Sequence, residues 1–200
     1  MHNAFLNIDN RKMSKSLGNF FTVREIGEKY DLQVLRFFML NAHYRSPLNF
    51  SAELMEASKN SLERIITCVE QLKHLLETAE KTEMTAEEKA LEAEVLEYVK
   101  KYENSMEDDF NTADAIAAIF ELVKFANTKA NENSTAAFVQ YLFDTIVHLS
   151  DVLGLIVNKE AEILDEEIEK LIEERQMARK EKTLKEQMKS EMNWLLWVSS

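Results

Sequence analysis

Apolar residues recur at helical spacing through most of the chain. Leu54, Leu62, Ile65, Ile66, Val69, Leu72 and Leu76 mark one long amphipathic stripe behind Ser51, whose hydroxyl can accept from a free first-turn amide. Leu91, Val95, Leu96 and Val99 mark a second, opened by Thr85-Ala86-Glu87-Glu88. That string has the form of a capping box, in which the Thr hydroxyl and the Glu three residues on satisfy each other's backbone amides. Residues 78–84 between the two are a polar break. Asp109-Phe110-Asn111-Thr112 reads as a stop and restart with Asn111 as the cap, ahead of Ala115, Ile116, Ile119, Phe120 and Val123. Ser134 opens another run through Phe138, Leu142, Phe143, Ile146 and Leu149, ending at Gly154. A last stripe carries Ile168, Leu171, Ile172 and Arg175.

The front of the chain is patterned differently. Residues 3–14 alternate weakly around Asp9-Asn10, which predicts a short hairpin. Residues 14–19 read as a loop punctuated by Gly18-Asn19. Thr22-Val23-Arg24-Glu25 is a second capping box, with Phe21 and Ile26 in the positions of a hydrophobic staple. A further helix is expected from Asp31, carrying Leu32, Leu35, Phe38 and Met39 and stopping near His43, ahead of Pro47. The pattern predicts six or seven helices, no repeat and no βαβ unit.

Composition sharpens this. Three Gly and one Pro in 200 residues are too few for a many-stranded barrel or sandwich, whose turns lean on those residues. At 46% hydrophobic the chain is not disordered. The expected fold class is mainly all-α. Cys68 is the single cysteine, so no internal disulfide forms; on a stripe with Ile65 and Leu72 it reads as a small core residue rather than a nucleophile. The four histidines are scattered, no zinc-site spacing occurs, and no metal site is expected in this chain. The first residues lack the basic start and apolar run of a signal peptide, and no window is apolar enough to span a membrane. The expected setting is cytoplasmic. Net charge is −12, but residues 1–50 carry 7 Lys/Arg against 4 Asp/Glu, and residues 51–200 carry 17 against 32. A basic front suits an anion there; an acidic rear argues against a sequence-blind grip on nucleic acid.

Residues 12–19 read Lys-Met-Ser-Lys-Ser-Leu-Gly-Asn. A lone Lys-x-x-Lys is usually a solvated basic turn. Two lysines around small residues, on a hairpin-to-helix connection, also supply mobile positive charge for a triphosphate whose negative charge redistributes in a transition state. This uninterrupted string is similar to the signature loop of class I aminoacyl-tRNA synthetases. His43-Tyr44-Arg45-Ser46-Pro47-Leu48-Asn49-Phe50-Ser51 resembles the segment that follows the loop in cysteinyl-tRNA synthetases, and Met106-Glu107-Asp108-Asp109-Phe110-Asn111-Thr112-Ala113-Asp114-Ala115 resembles a later signature of the same family. Met1-His2-Asn3 resembles the stretch just before the loop, without its Trp. Methionyl enzymes and mycothiol-pathway cysteine ligases share the lysine loop but not the His43–Ser51 string.

The resemblance runs from residue 1 to about 182. It implies that residues 12–16 (Lys12, Met13, Ser14, Lys15, Ser16) bind ATP, with Mg, while cysteinyl-adenylate forms, with Lys15 nearest the triphosphate and Lys12 second. It implies four segments: 1–21, the end of a class I catalytic domain; 22–82, a helical stem-contact region; 83–182, an anticodon-binding-type bundle; and 183–200, an aberrant tail. The partners implied are tRNA(Cys), with ATP and cysteine as substrates of the intact enzyme, which is a monomer by family expectation. His43, Tyr44 and Arg45 are candidate tRNA contacts or a helix-end cluster; Arg175, Arg179 and Lys180 are candidate RNA contacts or a solvated helix face. The family's HIGH signature and zinc ligands are not among these residues, so the chain by itself is expected to be inactive. The alternative is a non-catalytic helical tRNA-binding or scaffolding module.

After Ala178-Arg179-Lys180-Glu181-Lys182 the family string is lost, and both tryptophans, Trp194 and Trp197, fall beyond it. Degenerate codons for residues 182–198, read one nucleotide earlier, permit the missing family sequence. A frameshift near Lys182 is therefore expected. A stop codon in that earlier frame at the DNA level would refute it.

Overall fold

A computed structural model describes residues 4–79 and 82–158. The chain enters as the expected hairpin. Strand β1 (Leu6–Ile8) pairs antiparallel with β2 (Arg11–Lys12), Ile8 opposite Arg11. Asp9 and Asn10 form the two-residue turn with φ of 47° and 62°. This left-handed pair matches the twist of the flanking strands, and Asp and Asn tolerate it better than other side chains.

Helix α1 (Val23–Gly27) follows the predicted capping box: Thr22 Oγ1 accepts from the Glu25 amide at 3.2 Å, and the Glu25 carboxylate accepts from the Thr22 amide at 2.7 Å. Helix α2 (Leu32–Leu40) is capped by Asp31 and stops at Asn41, short of His43. Phe21 lies beside Phe50, ring centroids 6.3 Å apart.

Strand β3 (Leu48–Phe50) was not foreseen. It pairs parallel with β1, Leu6 opposite Leu48 and Ile8 opposite Phe50, giving the order β2-β1-β3. The expectation of no βαβ unit is therefore corrected: α1 and α2 lie in the connection between two parallel strands. Three residues between Pro47 and the Ser51 cap are too few to show a period of two. Their partner, far upstream, makes them a strand.

Helices α3 (Ala52–Thr78), α4 (Ala86–Glu107), α5 (Thr112–Lys129) and α6 (Ala136–Val152) complete the described residues. Ser51, Thr85 and Asn111 cap as expected. The last cap shifts by one: Thr135 accepts from Phe138, while Ser134 accepts from the Asn131 amide in the preceding turn. Helix α3 packs on α2, α5 and α6, and α4 lies along α5. Phe37, Met55, Ile65, Ile119, Leu122, Phe138, Leu142 and Ile146 are fully buried between them. Cys68 sits in this core as predicted, and burial pushes its thiol up to about 11.

Two polar ties close the bundle. The Glu88 carboxylate caps two helices: it accepts from Thr85 N at 2.8 Å at the start of α4, and from Thr135 N at 2.9 Å and Thr135 Oγ1 at 3.0 Å at the start of α6. At the other end of α6, Gly154 turns the chain at φ 66°, conformational space that glycine enters freely. Arg36 donates there to the Leu153 carbonyl at 3.5 Å, and Gln33 accepts from Ile156 N at 3.2 Å. A Cβ on Gly154 would stand 2.5 Å from Arg36 Nη1.

The last predicted stripe (Ile168, Leu171, Ile172, Arg175), the tail 183–200, and residues 1–3 lie outside the described residues. Among the described residues no helix is long and apolar enough to cross a membrane.

Candidate functional site

The lysine string sits where the hairpin hands over to the helices. Lys12 ends β2, and Met13 N donates to the Leu6 carbonyl at 3.0 Å, so the ladder fixes the start of the loop. A single 3-10 turn, Lys15–Leu17, follows. It closes through Leu17 N to Ser14 O at 3.1 Å and Gly18 N to Lys15 O at 3.3 Å, and Gly18 leaves it at φ 69°. The Ser14 and Ser16 hydroxyls share a hydrogen bond of 2.7 Å.

Asn19 closes the loop at its base. Its Oδ1 accepts from Ser14 N at 3.0 Å, and its Nδ2 donates to Lys12 O at 3.2 Å. One amide thus satisfies a donor and an acceptor that the hairpin ladder leaves open. In the sequence Asn19 reads as loop punctuation and as the residue that closes the string behind the two lysines; its clip across the loop base appears only in the fold.

Lys12 and Lys15 are both exposed. Lys12 Nζ lies 4.4 Å from the Phe5 ring centroid and Lys15 Nζ 5.4 Å from that of Phe20. Neither has an acidic ion-pair partner among the described residues. The arrangement is two cations on long stems, projecting from a backbone tied at both ends. It can place positive charge on a polyanion without refolding the loop.

His43, Tyr44 and Arg45 are brought together by one carboxylate. Tyr44 Oη donates to Asp109 Oδ1 at 2.8 Å, Arg45 Nη2 lies 2.8 Å from Asp109 Oδ2, and His43 Nε2 lies 3.8 Å from that same oxygen. Arg45 Nε donates to Tyr44 Oη at 3.0 Å, and the His43 and Tyr44 rings stack at 4.7 Å. The Tyr44 hydroxyl first, and the Asp109 charge second, raise the Arg45 pKa. Asp109 and Phe110 both have positive φ, 56° and 54°, which breaks α4 from α5 and turns the carboxylate toward this cluster. Thr112 Oγ1 adds a 2.7 Å bond to Leu40 O. The strings at 43–51 and 106–115, far apart in sequence, therefore form one joint. Tyr44 O also accepts from Ala4 N at 2.8 Å, tying the joint to the strand that carries the lysine hairpin. Asp109 was not singled out in the sequence reading as the centre of this cluster.

Arg175, Arg179 and Lys180 lie outside the described residues. Among the described residues no group of three His, Cys, Asp or Glu side chains gathers as a metal site.

Comparison with known proteins agrees with the two strings. The family model for the tRNA synthetases class I (C) catalytic domain matches residues 1–60, and that for the DALR domain matches residues 101–158. A cysteine–tRNA ligase of Lachnospira eligens is 59% identical over 182 residues, 91% of this chain and 39% of that protein. One from Lachnoclostridium phytofermentans is 56% identical over 187 residues, 91% of this chain and 40% of that protein. The chain thus spans about two-fifths of the length of these curated relatives. Among solved structures, the ternary complex of Agrobacterium radiobacter K84 agnB2 LeuRS with tRNA and LeuAMS superposes with a TM-score of 0.59 at 20% identity, covering 78% of this chain and 22% of that one; this likeness concerns the fold alone. Over 91% of its length, the chain belongs to the cysteine–tRNA ligase family of class I aminoacyl-tRNA synthetases.

Proposed function

We propose that these residues work as part of a cysteine–tRNA ligase, supplying the loop that closes on ATP and helical regions that meet tRNA(Cys). The observation that carries this reading is the Lys12–Ser16 loop, clipped at its base by Asn19 with both lysine heads exposed. In cysteine activation the substrate carboxylate attacks the α-phosphorus of ATP, and the bond to the leaving pyrophosphate breaks. Negative charge builds on the departing oxygens. Lys15, at the start of the 3-10 turn, is the lysine assigned nearest the triphosphate, and Lys12 the second. Both are point charges that can follow charge as it moves. Met13, Ser14 and Ser16 shape the turn between them.

Mg would arrive with the nucleotide. Zinc belongs to other parts of the family's proteins; the described residues gather no donor set for it, and no step here passes through it. Residues 22–82 are assigned to stem contact and 83–182 to the anticodon-binding bundle. Within the His43-Tyr44-Arg45 triplet, Arg45 keeps an exposed outer face and is the member proposed to reach the tRNA backbone. Arg175, Arg179 and Lys180 are the further candidates. A monomer acting in the cytoplasm completes the reading.

The test joins these residues to a complete class I catalytic domain and measures cysteine-dependent ATP–pyrophosphate exchange. Lys15→Ala is expected to slow adenylation about 10²–10³-fold while cysteine affinity stays close to the parent's, since the lost charge acts where charge develops. An unchanged rate with altered cysteine affinity overturns the assignment. The 200 residues alone contain no HIGH string, and exchange above blank by that chain would overturn the division of labour proposed here.

A further inference from the structure

Phe5 and Phe20 are exposed aromatic rings that the proposed reaction does not use. Phe5 is 64% exposed and Phe20 39%. Each stands at one side of the lysine loop, and each carries one of its two ammonium groups: Lys12 over Phe5, Lys15 over Phe20. An ammonium over a ring face within about 6 Å is held by the ring's quadrupole. The pairing is one to one, and it leaves both lysines without a carboxylate neighbour among the described residues. A carboxylate in that place would repel an incoming polyphosphate; a neutral ring does not.

We infer that Phe5 and Phe20 are resting sites for the heads of Lys12 and Lys15, from which the lysines must lift to meet a polyanion. The backbone supports this division. Asn19 fixes Lys12 O and Ser14 N, and the ladder fixes Met13, so the change of place falls on the lysine stems alone. Resting on a ring orders each head near the loop while keeping it charged. The cost of release is small. An exposed contact of this kind is worth about 0.5–1 kcal/mol, so each ring weakens polyphosphate binding by about 2–5-fold. The competition half of this inference rests on the triphosphate reading above; the resting sites do not.

The experiment uses the full 200-residue chain with ¹³C-labelled lysine, its resonances assigned through Lys12→Gln and Lys15→Gln. The ε-methylene protons of Lys12 and Lys15 are expected upfield of those of exposed lysines that meet no ring; Lys101, 5.7 Å from the Tyr98 centroid, is left out of that comparison. Phe5→Leu should return only the Lys12 signal, and Phe20→Leu only that of Lys15. Titration with inorganic tripolyphosphate should return both signals in the parent chain, and each Leu variant should bind it about 2–5-fold more tightly. Unshifted lysines in the parent, or shifts that survive the matching Phe→Leu change, overturn the resting sites. Equal or weaker tripolyphosphate binding by the variants overturns the competition. If the ring shifts are present and saturating tripolyphosphate moves neither lysine, the resting sites stand and the triphosphate reading falls.

Discussion

Glu88→Ala tests the tie between the starts of α4 and α6. The carboxylate accepts three hydrogen bonds, from Thr85 N, Thr135 N and Thr135 Oγ1, and the residue is only 9% exposed. Hydrogen bonds to a charged group are worth about 1.5–3 kcal/mol each but do not add, and loss of a capping arrangement costs about 1 more, so truncation should destabilise by about 2.5–4 kcal/mol. With a urea m-value of about 2 kcal/mol/M, the midpoint should fall by about 1–2 M. Glu87→Ala is the matched control: same charge, same first turn, exposed side chain. It should move the midpoint by less than about 0.5 kcal/mol equivalent. Burial raises the Glu88 pKa, but the hydrogen bonds from Thr135 and Thr85 outweigh it and the net shift is downward. A carboxyl whose folded pKa lies below its unfolded value of about 4.3 contributes fully above that value and loses its contribution as pH falls through the folded pKa. The parent should therefore lose more stability on acidification below about pH 4.5 than Glu88→Gln does. Equal midpoints for Glu88→Ala and Glu87→Ala would refute the double cap.

Gly154→Ala places a Cβ at φ 66° and against Arg36; a loss of about 1–2 kcal/mol, or about 2–8 °C in Tm, is expected by thermal melting, and most of it should persist in an Arg36→Ala background because the backbone term remains. Cys68, buried and with its thiol near 11, should react with a disulfide reagent at pH 8 at least about 10²-fold more slowly in the native chain than in the unfolded one; a rate matching the unfolded chain refutes its core placement. Tyr44→Phe should cost about 1 kcal/mol in urea titration. In a double-mutant cycle with Asp109→Ala it should show a coupling of about 0.5–3 kcal/mol, and zero coupling would break the proposed joint.

What the sequence made legible follows from how locally each feature is written. The caps at Thr22, Asp31, Ser51, Thr85 and Asn111 use side chains two or three residues from the amides they satisfy, so the string contains the whole interaction. The same holds for the turn at Asp9-Asn10. The one cap misplaced, Ser134 for Thr135, was decided by Glu88, a residue in another helix. β3 was hidden for the same reason: its partner lies on β1. At the candidate site, the lysine string was plain, but its supports were not. Phe5, Phe20 and Asp109 meet their lysines and their Tyr-Arg pair only once the chain has turned back on itself.

The parallel pairing of β1 with β3 makes the small sheet a non-local structure. Helices α4, α5 and α6 join their chain neighbours through short connections, whereas Leu48 N reaches Phe5 O, and β3 reaches β1, only after residues 9–47 have closed a loop. Loop-closure entropy is met before such a contact is rewarded, and three strands of two or three residues give little in return. Among the described residues this sheet, with its two-residue edge strand, is expected to open locally at lower cost than α5, whose apolar face is buried. Amides of Met13 and Leu48 should then exchange with solvent faster than those of α5. The lysine loop thereby hangs on a part of the fold expected to let go and re-form more often than the helices behind it.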